Sequence, residues 1–365
     1  MIIKNFSGAS FRNIEKCSID FTPGLNLLHG NNAQGKTNAL EGIYLFSRGK
    51  SFRAREDSEL IKFGSDGFYL KISYEDKKGE QTLEYSLYNK VRQRKRNGYK
   101  LKSVTEMIGS FRSVLFYPDN LEIVKGGPEE RRAFINVAIS QCYPEYLKYY
   151  SDYKNALENR NCLLKSSLKG HFVDIREIES WSAVLAEYAS HIYLFREEYI
   201  KRIMPHASKI MLDISENKEN LSVEFKPDIP LNISERELVK EEYIRIFSEN
   251  ISREMGAGVS LYGPHRDDIK IFVNGMDSRL YSSQGQQRSV VLSLKLAEGE
   301  VIKKICGEYP VYLFDDVLSE LDAARRDYVL RGLSDRQIII TSCESEEYEK
   351  YGANIIEVTN GRYDK

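Results

Sequence analysis

The chain contains 365 residues, of which 41% are hydrophobic and 29% charged, and its formal net charge is −1. No apolar run approaches the roughly 18 residues that a membrane-spanning helix needs, and the opening segment MIIKNFSGAS has no apolar signal core. We therefore expect a cytoplasmic protein without a membrane span. Because the net charge is close to zero, any binding to nucleic acid must come from a local basic patch.

The predicted secondary structure changes character along the chain. The length and the order of the elements predict two compact units, or one large domain with an insertion. The helical part lacks the sustained heptads of a coiled coil. In chain order, we predict short strands in the first thirty residues, a helix at 36–46 and two strands joined by a turn within 68–88. More than a hundred residues beyond Pro128 are predicted to be mainly helical. Strands are predicted again from Val259, followed by a helix at 284–304 and an apolar strand at 311–314.

The densest basic segment is KVRQRKRNGYKLK at residues 90–102, which has seven basic residues in thirteen. The Asn97-Gly98 pair within it is typical of a two-residue hairpin turn. Two interpretations remain open, a solvated hairpin and a contact with DNA phosphates. The candidates for such contacts are Arg92, Arg94, Lys95 and Arg96.

A phosphate-loop pattern, G-x-x-x-x-G-K-T, lies at residues 30–37 between a predicted strand and a predicted helix. Glycines let backbone N–H groups surround phosphate oxygens, and the helix N-terminus adds positive potential. We expect Lys36 to meet the β- and γ-phosphates of ATP, and Thr37 to offer its hydroxyl to Mg²⁺. Chance alone gives this pattern in about one chain in a hundred of this length. The predicted nucleotide-binding residues of the loop are Gly30, Asn31, Asn32, Ala33, Gln34, Gly35, Lys36, Thr37 and Asn38.

A second carboxylate motif ends the apolar strand at 311–314, where Asp315 and Asp316 follow directly. This is the form of a Walker B element, in which we expect Asp315 to hold Mg²⁺ and Asp316 to orient or deprotonate the attacking water. Acidic residues at a strand end often only cap the next helix. The sequence SELD at residues 319–322 favours the Walker B interpretation. The predicted catalytic residues are Lys36, Asp315 and Asp316.

A third motif, SSQGQQR at residues 282–288, opens the helix that precedes this strand. The order of the three motifs resembles an ABC-type ATPase head. In that class Ser283, Gly285 and Gln286 would belong to the signature that contacts the γ-phosphate bound to the other subunit, and a helix N-terminus suits that task. The alternative is an ordinary helix cap formed by Ser282 or Ser283.

Together with four further motifs, these segments resemble the RecF family along nearly the whole chain. The further motifs are FRN at 11–13, SFR at 51–53, FYPDNLEIVKGGPEERRAFIN at 116–136 and YGPHRDD at 262–268.

The resemblance implies an α/β fold, an ABC-type P-loop ATPase head that is discontinuous in sequence and carries an inserted helical second lobe. The expected parts are an N-terminal part of the ATPase lobe at 1–115, the inserted lobe at 116–257 and a C-terminal part at 258–365. It also implies a weak ATPase that uses ATP and Mg²⁺, closes as a homodimer, and binds double-stranded DNA and its junctions with single strands. RecR is the implied protein partner in loading recombinase at gaps.

The sequence departs from the wider ABC class in two places. Asp316 stands where glutamate is usual and is one methylene shorter, which predicts slow hydrolysis. The switch histidine is missing, so a hydroxyl of Thr341 or Ser342 would have to replace it. Arg12 is as consistent with a solvated arginine as with a nucleotide contact.

Two other functions remain possible at this point. An ABC transporter nucleotide-binding subunit would carry a conventional LSGGQ-like signature, a switch histidine and a coupling loop. A P-loop kinase would leave the signature unexplained and would need a pocket for a small acceptor. A third alternative, an SMC-like head, is excluded mainly because the sequence has no coiled-coil arms.

Overall fold

The computed structural model describes residues 1–231 and 233–364. The strands are β1 (Ile2–Phe11), β2 (Ile14–Asp20), β3 (Leu25–His29), β4 (Gly67–Asp76), β5 (Gly79–Tyr88), β6 (Val91–Arg96), β7 (Tyr99–Lys100), β8 (Ser113–Phe116), β9 (Leu221–Lys226), β10 (Asp268–Val273), β11 (Met276–Asp277), β12 (Val311–Asp315), β13 (Ile338–Ser342), β14 (Asn354–Thr359) and β15 (Arg362–Asp364). The helices are α1 (Lys36–Arg48), α2 (Glu122–Lys125), α3 (Pro128–Cys142), α4 (Pro144–Leu168), α5 (Ile175–Ile214), α6 (Arg236–Glu249), α7 (Ile251–Ala257), α8 (Ser278–Tyr281), α9 (Gln284–Cys306), α10 (Ala323–Gly332) and α11 (Glu346–Glu349).

The described residues divide into two compact units. Unit 1 comprises residues 1–121, 209–219 and 284–364, and unit 2 comprises residues 122–208, 220–231 and 233–283. Within the described part of the chain, every helix is too short or too polar to cross a bilayer.

Unit 1 contains two sheets, helices α1, α9, α10 and α11, and the end of α5. Its antiparallel sheet has the strand order β2-β1-β4-β5-β6-β7, and its second sheet has the order β15-β14-β3-β13-β12-β8. In the second sheet β14, β3, β13, β12 and β8 run parallel, and β15 pairs antiparallel with β14. Strands β12 and β13 are buried on both faces, which explains their near-continuous apolar sequences.

Helix α1 packs its apolar face into the core that the two sheets share. Leu40 and Ile43 are fully buried in the same cluster as Phe6 of β1 and Leu313 of β12. A Cβ atom at Gly42 would lie 2.6 Å from the ring of Phe6, so the helix can approach the sheet this closely only with glycine there.

The parallel sheet brings three strand ends to one edge. Asp315 of β12 pairs with Thr341 of β13, and Ser342 of β13 pairs with His29 of β3. Because parallel strands end on the same side, the segments that follow β3, β12 and β13 meet at the carboxyl edge of this sheet. The phosphate loop follows β3, so this edge is the place where a nucleotide site can form.

Unit 2 is mainly helical and encloses two buried ion pairs. The guanidinium of Arg160 lies 2.6 Å from Glu254, and that of Arg196 lies 2.7 Å from Asp267. Both arginines are fully buried, and their guanidinium groups donate further hydrogen bonds, Arg160 to Ser182 and Ser260 and Arg196 to Pro264 and Asn136. Removing one partner of such a pair is costly, because the other charge would stay buried without compensation.

Two sequence predictions are wrong in unit 2. The helical texture is interrupted by strand β9, which pairs antiparallel with β10, and the strands return at Asp268 rather than at Val259. Strand β9 alternates the apolar residues Leu221, Val223 and Phe225 with polar ones, so its sequence does carry the period of two that the prediction overlooked.

Candidate nucleotide site

The phosphate loop joins β3 to α1 and needs glycine at both ends. Gly30 has a φ of 157° and Gly35 a φ of 116°. A Cβ atom on Gly30 would lie 2.3 Å from the carbonyl oxygen of Val358, and one on Gly35 would lie 2.8 Å from Oδ1 of Asn13. No larger residue fits either position without displacing its neighbours. The loop therefore has the tight turn that a cradle for phosphate oxygens requires.

Lys36 is the first residue of α1, and it is only 5% exposed. Its ammonium donates to the carbonyl oxygens of Gly30, at 2.5 Å, and Asn31, at 3.0 Å. The Sγ atom of Cys343 lies 3.3 Å from the same nitrogen. These contacts fix the positive charge at the loop, where it can meet a phosphate oxygen.

The Walker B carboxylate faces the first turn of α1. Asp315 accepts hydrogen bonds from the hydroxyls of Thr37, at 2.8 Å, and Thr341, at 3.0 Å. Burial raises the pKa of Asp315, whereas the two hydroxyls act in the opposite direction by stabilising the carboxylate. The hydroxyl and the carboxylate are the hard oxygen donors that Mg²⁺ prefers beside substrate phosphates, so Thr37 and Asp315 fit the predicted metal site.

Asp316 lies outside the strand, with an exposed side chain and a φ of 57°. Aspartate is one of the few residues that tolerate this left-handed conformation. Its backbone N–H donates to the hydroxyl of Thr341 at 3.0 Å, and its carbonyl accepts from the hydroxyl of Ser319 at 2.8 Å. Thr341 therefore contacts both aspartates of the motif, a role that the sequence suggested only as a replacement for the switch histidine.

Arg12 lies beside the loop but is engaged within the chain. Its guanidinium donates to both oxygens of the fully buried Glu41, at 2.9 and 2.8 Å, and to the carbonyl oxygen of Glu59 at 2.9 Å. The neighbouring Asn38 accepts a hydrogen bond from Arg53 at 3.0 Å. Contact of Arg12 with a nucleotide stays a prediction, and its present role is to neutralise Glu41.

The hairpin of β14 and β15 supports the loop from behind. The side chain of Gln34 accepts from the backbone of Asn360 at 2.6 Å, and its carbonyl accepts from Gly361 at 2.8 Å. The hydroxyl of Tyr363 donates to the carbonyl of Gly35 at 2.9 Å. Sequence reasoning missed this support, although the Asn360-Gly361 pair between alternating residues is a hairpin signal.

The signature residues lie at the start of α9. Ser283 and Gly285 are exposed, and a Cβ atom on Gly285 would meet no atom within 4 Å. Gln286 donates its side-chain amide to Glu219 at 2.9 Å. A partner molecule can therefore approach the N-terminus of α9 closely, and the backbone N–H groups at this N-terminus favour binding of an anion.

The basic segment forms the β6–β7 hairpin, and its turn has the positive φ values of a type I′ turn at Asn97 and Gly98. Strand alternation separates the four DNA-contact candidates. Arg94 pairs with Tyr85 in the ladder and lies over its ring at 4.8 Å, on the buried face of the sheet. Lys95 pairs with the partly exposed Glu84 on the opposite face.

The other two arginines are on the same face as Arg94, and they also have partners within the chain. Arg92 pairs with Asp57 at 2.5 Å, and Arg96 donates to Ser110 at 3.2 Å. DNA binding by these residues stays a prediction. The alternation leaves Lys95 as the candidate that faces away from the core.

Comparison with known proteins identifies the family of the chain. The model of the RecF/RecN/SMC N terminal domain matches residues 2–364. The DNA replication and repair protein RecF of Thermoanaerobacter sp. (strain X514) is 40% identical to this chain, and the alignment covers 99% of this chain and 99% of that protein. RecF of Clostridioides difficile (strain 630) is 36% identical, with 99% of this chain and 97% of that protein covered.

Solved structures agree with these relatives. A structure of the recombination mediator protein RecF-ATPrS in the RecFOR pathway has a TM-score of 0.92 and 35% identity, and covers 100% of this chain and 97% of its own. An SMC head bound to the C-winged helix domain of ScpA has a TM-score of 0.57 at 16% identity, covers 100% of this chain and 96% of its own, and shares the fold alone. The fold is thus α/β, that of an ABC-type ATPase head, and the chain belongs to the RecF family.

Proposed function

We propose that this chain is an ATP-dependent DNA-binding protein of recombinational gap repair and replication restart. ATP closes a homodimer on DNA, and slow hydrolysis releases it. The relatives are named for DNA replication and repair, and two of the similar structures are described as RecF with ATP or ATPrS. The observation that carries the proposal is that one chain has both a phosphate loop with Thr37 bonded to Asp315 and an exposed N-terminus on the signature helix α9.

Within one chain, the loop residues 30–38 bind and orient the triphosphate. Lys36 supplies positive charge to the β- and γ-phosphates, and Thr37 and Asp315 would hold Mg²⁺, which supplies Lewis-acid stabilisation of the phosphates. Asp316 orients the attacking water. Because this carboxylate is one methylene shorter than the usual glutamate and Thr341 replaces the switch histidine, turnover is slow.

Between chains, Ser283, Gly285 and Gln286 contact the γ-phosphate that the partner's loop holds. Each triphosphate is then bound by two chains, which makes the closed dimer the state that ATP favours. Hydrolysis removes the contact with the γ-phosphate and so removes that preference. Nucleotide state thereby controls how long the dimer stays on DNA.

DNA binding is assigned to the basic hairpin, through phosphate contacts that weaken as salt rises. Arg94 and Arg96 also hold the sheet together, so the sharper variant is Lys95→Glu, with Lys78→Glu at the β4–β5 turn as the control. We expect Lys95→Glu to lower the affinity for duplex DNA several-fold at moderate salt while Lys78→Glu does not. If reversal of the charges at all four candidate residues leaves the affinity unchanged, the hairpin is not the DNA site.

The preference for junctions of double and single strands, the partnership with RecR and the cytoplasmic location are parts of the same proposal. They are supported by the pathway named for the similar RecF structures. The domain division at 1–115, 116–257 and 258–365 is also retained as a proposal.

The proposal is tested by the molar mass of the chain in solution, measured by light scattering with and without ATP and duplex DNA. We expect a dimer only with ATP, and we expect Lys36→Ala to stay monomeric because it cannot bind the triphosphate. A chain that remains monomeric with saturating ATP and DNA would refute the proposal and would favour a phosphotransferase instead.

A further inference from the structure

Gln286 of the proposed signature is held by an acidic residue of its own chain. Its side-chain amide donates a hydrogen bond to Oε1 of Glu219 at 2.9 Å. Glu219 lies between α5 and β9, and both residues belong to unit 1. A carboxylate and a phosphate carry charge of the same sign. The contact with Glu219 therefore opposes the phosphate contact that Gln286 is proposed to make.

The second carboxylate oxygen of Glu219 is buried and unpaired. Oε2 is shielded from solvent, and it has no hydrogen-bond partner among the residues that the structure describes. Water and salt ions therefore screen the charge of this carboxylate less than that of an exposed one. Because Gln286 lies at hydrogen-bond distance, an anion that binds to Gln286 comes within reach of this charge.

A tight turn fixes the backbone at Glu219. The turn follows α5 and has left-handed conformations at Glu216 and Asn217, with φ values of 53° and 62°. The N–H of Asn217 donates to the carbonyl oxygen of Leu212 at 2.8 Å, and the N–H of Glu219 donates to the hydroxyl of Ser215 at 3.0 Å. With the backbone held in this way, Glu219 and Gln286 can separate by rotation of their side chains.

The end of α5 packs against α9 and keeps the turn in place. The thioether of Met211 lies 3.6 Å from the hydroxyl of Ser293, and both residues are fully buried. Ser293 is about two helical turns beyond Gln286. Movement of the whole turn away from Gln286 would disturb this buried packing, which is costly. The charge of Glu219 therefore stays near the start of α9.

We propose that Glu219 is an autoinhibitory residue that sets the ATP concentration at which the dimer closes. In the separate chain its carboxylate occupies the amide of Gln286. Closure requires this amide to leave Oε1 and to donate to the partner's γ-phosphate, with the charge of Glu219 still nearby. Glu219 thus raises the free energy of the closed dimer relative to the open chains. The inference rests on the proposed function, because it needs a signature that binds the partner's γ-phosphate.

Substitutions can separate the charge of Glu219 from its hydrogen bond. Glu219→Gln keeps a carbonyl oxygen that can accept from Gln286 but removes the charge, whereas Glu219→Ala removes both. The matched control is Glu216→Gln, which makes the same change of charge in the same turn, at an exposed residue that pairs with Lys218. All three variants leave the phosphate loop intact, so the affinity of the single chain for ATP should be unchanged.

The test measures the closure midpoint, the ATP concentration at which half of the full-length chains are dimeric by light scattering with duplex DNA present. We expect Glu219→Gln to lower the closure midpoint about fivefold, the order of one like-charge contact at a partly solvated interface. Glu219→Ala should lower it at least as far, and Glu216→Gln should not change it. The ratio of the midpoints of the unaltered chain and Glu219→Gln should shrink towards 1 as salt rises from about 0.05 M to about 0.5 M.

Three results would overturn the autoinhibition: an unchanged or higher midpoint in Glu219→Gln, an equal shift in Glu216→Gln, or a ratio that does not depend on salt. The experiment also separates this failure from that of the proposed function. If the unaltered chain forms no dimer with ATP and DNA, both fail. If it forms the dimer and Glu219→Gln closes at the same ATP concentration, only the autoinhibition fails.

Discussion

His265, in the YGPHRDD segment, should make unit 2 sensitive to mild acid. One ring nitrogen, Nε2, lies 3.3 Å from the carbonyl oxygen of Ser260, which can only accept. That nitrogen therefore carries the proton of the neutral ring, and Nδ1, at 2.6 Å from the hydroxyl of Tyr153, accepts. A second proton on the ring would remove the acceptor that the buried tyrosine needs.

The size of the effect follows from the pKa of His265, which burial lowers to about 4. The unfolded value is about 6.5, so the unfolded chain binds the proton more tightly. The stability that depends on the neutral ring is therefore present above about pH 6.5 and is lost as pH falls towards 4. At about pH 5 the expected loss is about 2 kcal/mol of the free energy of unfolding.

The assay is urea unfolding of the full chain at about pH 7.5 and about pH 5, compared with His265→Asn. Asparagine can accept from Tyr153 but does not titrate, so the difference between the two proteins isolates the histidine. We expect the unaltered chain to lose about 2 kcal/mol more than the variant between these pH values. Equal losses in both proteins would refute the assignment of a buried, neutral His265.

Two further predictions concern the nucleotide site. Gly30→Ala should lower ATP affinity at least about tenfold in titration calorimetry, because the new Cβ would clash with the carbonyl of Val358, whereas Gly256→Ala, at a helical glycine with open space around it, should bind ATP normally. Thr341→Val should lower the steady-state kcat about tenfold with ATP affinity nearly unchanged, because Asp315 loses a hydrogen-bond donor. Loss of ATP binding in both glycine variants, or an unchanged kcat in the threonine variant, would contradict these explanations.

The sequence predicted the elements whose signals are local. Strand β3 ends at His29 and helix α9 starts at Gln284 as predicted, because apolar periodicity and the phosphate-loop pattern both act over a few residues. The type I′ turn at Asn97 was also predicted from its own dipeptide. These features need no information from distant parts of the chain.

The features that the sequence did not reveal depend on contacts between distant residues. The sequence around Arg12 does not show that its guanidinium will form an ion pair with Glu41, since the two residues come together only after β1 and α1 have packed. The support of Gln34 by Asn360 joins residues more than three hundred positions apart. The separation of Lys95 from its neighbouring arginines follows from the register of β5 and β6, which the basic composition alone does not fix.

The most direct test of the shared nucleotide site is to mix two inactive chains. Lys36→Ala cannot bind ATP but keeps its signature, and Ser283→Arg binds ATP but blocks its own signature. Neither variant can close a dimer with its own copy, so only mixed dimers form, and each keeps one intact composite site of two; we therefore predict recovery of up to about half of the unaltered ATPase rate. Full activity of Ser283→Arg on its own, or no recovery on mixing, would contradict a triphosphate shared between two chains.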